Sequence, residues 1–225
     1  MRNGKVKDAG IVAICIPCHT YVHHSFVMSL AGMMAETQVR TALIMSTSSV
    51  GAAKGRNQCL EGVEKLEAQG ETIEWLMWLD ADMIFPTSII DGLLSRDKDI
   101  VGGSYVRRSP PHDLLGKSLT GKPEEVGTRG LVEVKALPAG AMLMRREVMR
   151  HFRKPYFRYY PNEATGEIVG EDIVFCEMAR YHGYKIWMDL DLTKTLGHIG
   201  EEVFHVPVEK PRRSALIMPE RGLVA

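Results

Sequence analysis

The sequence predicts an α/β domain with a mostly parallel central sheet flanked by helices. Two observations carry that expectation. Short apolar runs alternate with longer stretches of helical periodicity, the pattern of strands joined by helical crossovers. The chain is also 45% hydrophobic over 225 residues, which is enough apolar material for one packed domain.

The elements follow in order. Residues 11–16 are an apolar run stopped by Pro17, a buried first strand. Residues 25–36 carry apolar side chains at helical spacing. A second strand covers 41–45, and the small polar stretch 46–55 reads as a loop. Residues 57–69 read as a helix stopped by Gly70. The strand 73–79 runs directly into Asp80-Ala81-Asp82. A helix is expected over 88–95 and a strand over 100–106. Residues 107–130 contain Pro110, Pro111, Pro123 and several glycines, and read as a long loop. Strands at 131–136 and 141–145 flank Pro138-Ala139-Gly140. A helix over 172–182 is closed by Gly183, and a late strand covers 184–189. Residues 1–206 form the domain, and 207–225 form a basic, proline-containing tail.

Composition narrows the function. Lys and Arg total 28 and Asp and Glu total 28, so no global field selects nucleic acid or an acidic membrane. No run approaches the ~20 apolar residues of a membrane span. The polar start, Met1-Arg2-Asn3-Gly4-Lys5, lacks a signal peptide's apolar region and cleavage site. The expectation is a cytoplasmic protein with no membrane partner. Cys15 and Cys18 form a lone C-x-x-C with no second pair to complete a zinc site, which favours buried thiols over redox or metal chemistry.

Four constellations can carry chemistry. In Trp75-Leu76-Met77-Trp78-Leu79-Asp80-Ala81-Asp82 an apolar strand delivers two carboxylates at its C-terminal end, where open α/β sheets bind ligands. Two close carboxylates repel, and a hard divalent ion bridging to diphosphate relieves that. The plainer alternative is a solvated turn. Gly170-Glu171-Asp172 opens a helix. Its acids serve either as dipole-favoured first-turn residues or as a general base with a positioning neighbour. His198, between Gly197 and Gly200, suits a third ligand for a manganese-like ion, with His205 as competitor. Arg56-Asn57 opens a predicted helix, and Arg56 can donate to phosphate or remain solvated.

In this order the elements resemble the family 2-like GT-A glycosyltransferases over residues 10 to 200. The resemblance implies the GT-A (nucleotide-diphospho-sugar transferase) fold and a sugar moved from a UDP-sugar (or GDP-sugar) with Mn2+ or Mg2+. It implies that Asp82 and His198 bind the metal, with Asp80 at the ribose or the metal shell. Pro17, His19 and Thr20 would lie by the base and ribose, and Arg56 by the diphosphate or donor sugar. Ala139 and Gly140 would line the sugar pocket, with Asn57 and Ala81 beside them on the donor side. Asp172 would be the base and Glu171 a ligand of acceptor or sugar. The chain lacks the membrane helices and lectin-like domain of larger members.

Inversion follows if Asp172 is the base. Small soluble enzymes of similar kind include viral enzymes that glycosylate hydroxymethylated DNA bases, which would put the protein in a host cytoplasm. DNA is therefore the leading acceptor expectation. Its footprint would be the basic, aromatic stretch 145–160, with Arg150, Arg153 and Tyr156, extended by Arg107, Arg108 and the Arg212-Arg213 pair. A saccharide or small-molecule acceptor is the runner-up, and a solvated face is the plainer reading of that stretch. Sugar nucleotidyltransferases are a rival class, but their glycine-rich loop is replaced by Pro17-Cys18-His19-Thr20. An inactive binding module is a further alternative.

Overall fold

Strand β1 (Ile11–Cys18) is buried along nearly its whole length. A strand covered on both faces needs a continuous apolar run rather than alternation. It pairs in parallel with β2 (Thr41–Thr47) on one side and β3 (Ile73–Leu79) on the other. Helices α1 (His24–Glu36) and α2 (Ala52–Ala68) make the crossovers. They cover opposite faces. Val12, Ile14 and Ile16 pack with Phe26 and Met33 of α1. Ala13 and Cys15 pack with Cys59, Leu60 and Val63 of α2. The period-2 alternation of β1 thus divides the interior into two cores.

This computed structural model describes residues 10–47, 51–119, 129–200 and 203–206. After β3 come β4 (Met83–Ile84), α3 (Ile89–Leu94), β5 (Ile100–Gly102), β6 (Lys117–Ser118), β7 (Leu131–Ala136) and β8 (Ala141–Arg145). A 3-10 turn (Arg146–His151) leads to a small hairpin of β9 (Tyr160–Pro161) and β10 (Ile168–Val169). Then follow α4 (Glu171–Tyr181), β11 (Ile186–Asp189), α5 (Leu190–Thr193), β12 (Gly197–Ile199) and β13 (Val203–His205). The main sheet has eight strands in the order β2-β1-β3-β8-β5-β11-β7-β6. Strands β7 and β8 run against the other six, so the sheet is mostly parallel in direction but mixed in its pairings. A second sheet, β13-β12-β4, sits at the C-terminal end of β3.

Several expectations shift. Helix α2 begins inside the stretch read as a loop. Gly51 takes a φ of 88°, a turn glycine allows, and Ala52, Ala53 and Lys54 already favour helix. The strand expected over 100–106 ends at Gly102. A Cβ there would sit 3.0 Å from Met142 Cα, so only a glycine permits this approach to β8. The loop after it carries β6 and an isolated bridge from Val106 to Leu114. Its residues 120–128, the Arg212-Arg213 pair and the basic tail lie outside the described residues.

The basic, aromatic stretch opens with the 3-10 turn, whose Arg150 and His151 are exposed over buried Val148 and Met149. Phe152 and Phe157 are core residues, stacked on Phe175 at 4.9 and 5.0 Å. All four cysteines are free and buried. Cys15 and Cys18 lie three apart on one strand, so they point to opposite faces and form no redox pair.

Candidate active site

The buried β3 ends at Leu79, and Asp80 begins a tight turn in which Met83 N donates to Asp80 O at 3.1 Å. The turn hands the chain to β4, which pairs with β12 and sets His198 opposite Met83. Ile199 N also donates to Asp82 O at 2.7 Å. The carboxylate turn and the His198 strand are therefore held in register by backbone bonds.

Arg56 reaches this turn from the second turn of α2. Its side chain is 2% exposed. Nη2 donates to Asp80 Oδ1 at 2.8 Å, Nε to Glu171 Oε1 at 3.2 Å, and Nη1 to the Ala139 carbonyl at 3.4 Å. The guanidinium lies 5.7 Å from the Trp78 ring centroid and 5.9 Å from that of Phe157. One side chain thus joins α2, β3, the turn before β8 and α4. Burial alone would lower the Arg56 pKa, but Asp80 and Glu171 outweigh it and hold the cation charged. Gly55 beside it lets α2 approach β1, since a Cβ there would stand 3.0 Å from Pro17 Cβ.

Asp80 is pulled two ways. Burial raises its pKa, Arg56 opposes this, and Asp82 and Glu171 add repulsion, so the net shift is upward. Tyr105, buried, donates its hydroxyl to Asp80 Oδ2 at 3.4 Å and sets its ring edge-on to His198 at 4.8 Å. Gly140 makes room for this pair, because a Cβ there would meet both the Tyr105 ring and Asp80 Oδ2.

Asp82 has the opposite balance. Burial pushes its carboxyl up, but His198 and the Arg108 charge outweigh it, and the pKa falls below the usual range. His198 Nε2 stands 3.6 Å from Asp82 Oδ2, and Arg108 Nη1 donates to the same oxygen at 3.0 Å. The other ring nitrogen, Nδ1, bonds the Val106 carbonyl at 2.8 Å. With Nδ1 donating to the Val106 carbonyl, Nε2 is the ring nitrogen turned toward Asp82, the orientation second-shell partners give to ligating histidines. His205 bonds the Leu196 carbonyl from outer strand β13 instead.

Asp172 stands in the first turn of α4, next to Glu171. Burial and then the Glu171 charge raise its pKa. A raised carboxyl is a stronger base when ionised. Gly170 before it is tight, since a Cβ would lie 2.8 Å from Asp172 Oδ1.

The structure thus gathers Arg56, Asp80, Asp82, Ala139, Gly140, Glu171 and His198 through direct contacts, with Asp172 one residue from Glu171 and Ala81 inside the turn. His19 and Thr20 are exposed beyond the end of β1 and bond each other at 2.7 Å. Asn57 is occupied in holding the fold. Its amide bonds the Ala53 and Phe157 carbonyls, and its Oδ1 accepts from Tyr156 N and Phe157 N.

Arg150 is not brought to the carboxylates, and Arg153 is exposed. Arg145, at the start of their stretch, is opposite Trp75 at the far end of β3. Arg146 forms a two-point bond with Glu67, eleven residues beyond Arg56 on α2 and so about 16 Å along its axis. Arg150 lines a cavity of about 620 Å³ at that far end, among Glu67, Glu71 and Glu74. Tyr156 donates its hydroxyl to Glu64 at 2.8 Å. Arg107 is exposed, and Arg108, expected at the acceptor, is instead on Asp82. Sequence reasoning passed over Tyr105, for which the only signal was a polar aromatic just past a strand end.

Among the described residues no group of three or more His, Cys, Asp or Glu side chains stands at metal-ligand spacing. Asp82 and His198 form a two-residue pair, while Asp80 is engaged by Arg56.

No family model and no curated protein matches the chain. Solved structures do. Protein A197 from STIV aligns over 91% of this chain and 98% of its own, with a TM-score of 0.57 and 15% identity. The nucleoside-diphosphate-sugar pyrophosphorylase from Vibrio cholerae RC9 aligns over 84% of this chain and 96% of its own, with a TM-score of 0.51 and 14% identity. GalNAc-T7, solved with UDP, GalNAc and Mn2+, aligns over 86% of this chain and 44% of its own, at 0.46 and 11%. The first two likenesses span nearly the whole of each protein and establish a shared α/β fold.

The Arg56 network gives a stability prediction. Arg56→Leu leaves two carboxylates facing a hole without their cation, and urea unfolding at neutral pH should show a loss of about 3–5 kcal/mol. Losing Arg56 raises the Asp80 pKa further. A carboxyl whose folded pKa exceeds its unfolded value favours the folded state at low pH and loses that contribution as pH rises. The deficit should therefore shrink toward pH 5. An unchanged unfolding midpoint in Arg56→Leu would contradict the network.

Proposed function

We propose that the protein is a divalent-cation-dependent glycosyltransferase that moves a sugar from a UDP-sugar or GDP-sugar to an acceptor hydroxyl. The observation that carries this is the convergence of Asp80, Asp82, His198 and the Arg56–Glu171 pair at the C-terminal end of β3, with Asp172 alongside. Ligands of open α/β sheets bind at that end. Asp82 offers a carboxylate to a hard cation shared with a diphosphate, and the Nε2 of His198 beside it would add a nitrogen ligand.

In this reading Asp82 and His198 hold Mn2+ or Mg2+, which when bound acts as a Lewis acid on the leaving diphosphate. Asp80, oriented by Arg56 and Tyr105, faces the ribose or the cation's outer shell. Ala139 and Gly140 form the floor of the sugar pocket. Asp172 takes the proton from the acceptor hydroxyl, whose oxygen attacks the anomeric carbon as the bond to diphosphate breaks, with inversion. Glu171 stays with Arg56 and orients the first turn of α4.

The fold alone also suits nucleotidyl transfer. The first-strand loop, Pro17-Cys18-His19-Thr20, lacks the glycine-rich phosphate grip of that class and favours sugar transfer. DNA loses support as acceptor, because Arg150 stands at the far end of β3 from the carboxylates and Phe152 and Phe157 are core. A saccharide or small-molecule hydroxyl is the better reading.

A panel of nucleotide-sugars with Mn2+ tests the proposal. Wild type should release nucleoside diphosphate, and Asp82→Ala should abolish release and weaken UDP binding while its circular dichroism stays native. Release of pyrophosphate from a nucleoside triphosphate and sugar phosphate would instead identify a nucleotidyltransferase.

The base has its own signature. Asp172 works only when ionised and its pKa is raised, so kcat/KM should fall as pH drops through a value above the ordinary ~3.9 for Asp. Asp172→Asn should remove that limb and slow the chemical step about 10²–10⁴-fold with donor affinity nearly unchanged. Normal turnover with weakened donor binding would make Asp172 a binding residue only.

A further inference from the structure

One short segment touches each of the three side chains assigned above to donor and cation. Tyr105 donates to Asp80 at 3.4 Å, the Val106 carbonyl meets His198 Nδ1 at 2.8 Å, and Arg108 donates to Asp82 at 3.0 Å. The base of the segment is fixed. Tyr105 and Val106 are buried, Arg107 N donates to Asp113 O, and Leu115 N donates to Tyr105 O, at 2.9 Å each. Arg108 differs: 52% of its side chain is exposed, and its contacts are Asp82 and, at 3.4 Å, the Ile199 carbonyl.

Arg108 and His198 converge on one oxygen, Asp82 Oδ2. A guanidinium there neutralises Asp82 as a bound cation would. The two cannot both hold that oxygen at full strength. A hard cation binds a carboxylate at about 2.0–2.6 Å, and its charge repels an arginine on the same oxygen. A displaced Arg108, anchored by a rigid base, still reaches the mouth of the site. The anion that arrives with the cation is a diphosphate, for which a planar guanidinium is a good two-point partner.

We infer that Arg108 is a resident counter-ion of Asp82, exchanged for the divalent cation on donor binding, and that its guanidinium then grips the donor's diphosphate. Arg108 is thus a donor-positioning residue, and cation and nucleotide bind cooperatively because each frees a partner for the other. The inference rests on the glycosyltransferase reading, in particular on Asp82 as a cation ligand.

The test is Mn2+ binding, followed by the electron paramagnetic resonance of free Mn2+, with and without UDP or GDP. Wild type, Arg108→Ala, Arg108→Lys and Asp82→Ala are compared, each checked for native circular dichroism. Arg108→Ala should bind Mn2+ alone more tightly than wild type, about tenfold, yet gain far less affinity when nucleotide is added. Arg108→Lys keeps the charge without the fork and should lie between. If wild type binds Mn2+ through Asp82 but Arg108→Ala gives the same affinities, the exchange is wrong and the metal site stands. If Asp82→Ala matches wild type with both nucleotides, Asp82 is no cation ligand, and both the exchange and the metal-dependent reading fall.

Discussion

A buried guanidinium between two carboxylates governs how this chain closes around its site. Arg56 balances Asp80 from the end of β3 and Glu171 from the start of α4, and it is almost wholly out of water. A lone cation in that position would cost several kcal/mol. So α2 can dock on the sheet only when both acids arrive with it. The turn before β8 adds the Ala139 carbonyl, and the aromatic rings of Trp78 and Phe157 lie close to the guanidinium. Glycines make the approach possible. Gly55 admits α2 to Pro17, and Gly140 admits Tyr105 to Asp80. The carboxylates are consequently oriented before any ligand binds, which is how a site avoids reorganising during reaction.

The two aspartates are given different electrostatic characters by that arrangement. Asp80 is half-buried beside Arg56, desolvation and the repulsion of Asp82 and Glu171 outweigh the Arg56 charge, and its pKa rises. Asp82 faces His198 and Arg108, and its pKa falls. An acid held ionised at the mouth suits exchange of one cation for another. An acid clamped by a buried arginine suits a fixed, orienting role. Asp172, beside Glu171, is raised by burial and then by the Glu171 charge.

Much of this was legible in the sequence. Strands β7 and β8 and the delivery of Asp80-Ala81-Asp82 by β3 follow from apolar runs and turn residues, which are local signals. His198, preferred over His205 for its flanking glycines, stands with Nε2 3.6 Å from Asp82 Oδ2. The Arg56–Glu171 bond joins residues 115 positions apart, and no local pattern announces it. Asn57 likewise gives no local sign of its bonds to backbone groups a hundred residues on. In the stretch 145–160 the 3-10 turn Arg146–His151 is short, and nothing in the order of the residues after it distinguishes the buried Phe152 and Phe157 from the exposed Arg153. Arg108 was assigned to an acceptor by its charge, whereas the fold of residues 105–115 turns it back onto Asp82.

The most direct measurement is a crystal structure with Mn2+ and UDP, using anomalous scattering to locate the metal. One strong peak is expected between Asp82 and His198, with Arg56 still bridging Asp80 and Glu171. A peak elsewhere in the molecule, or an Arg56 withdrawn from both carboxylates, would contradict it.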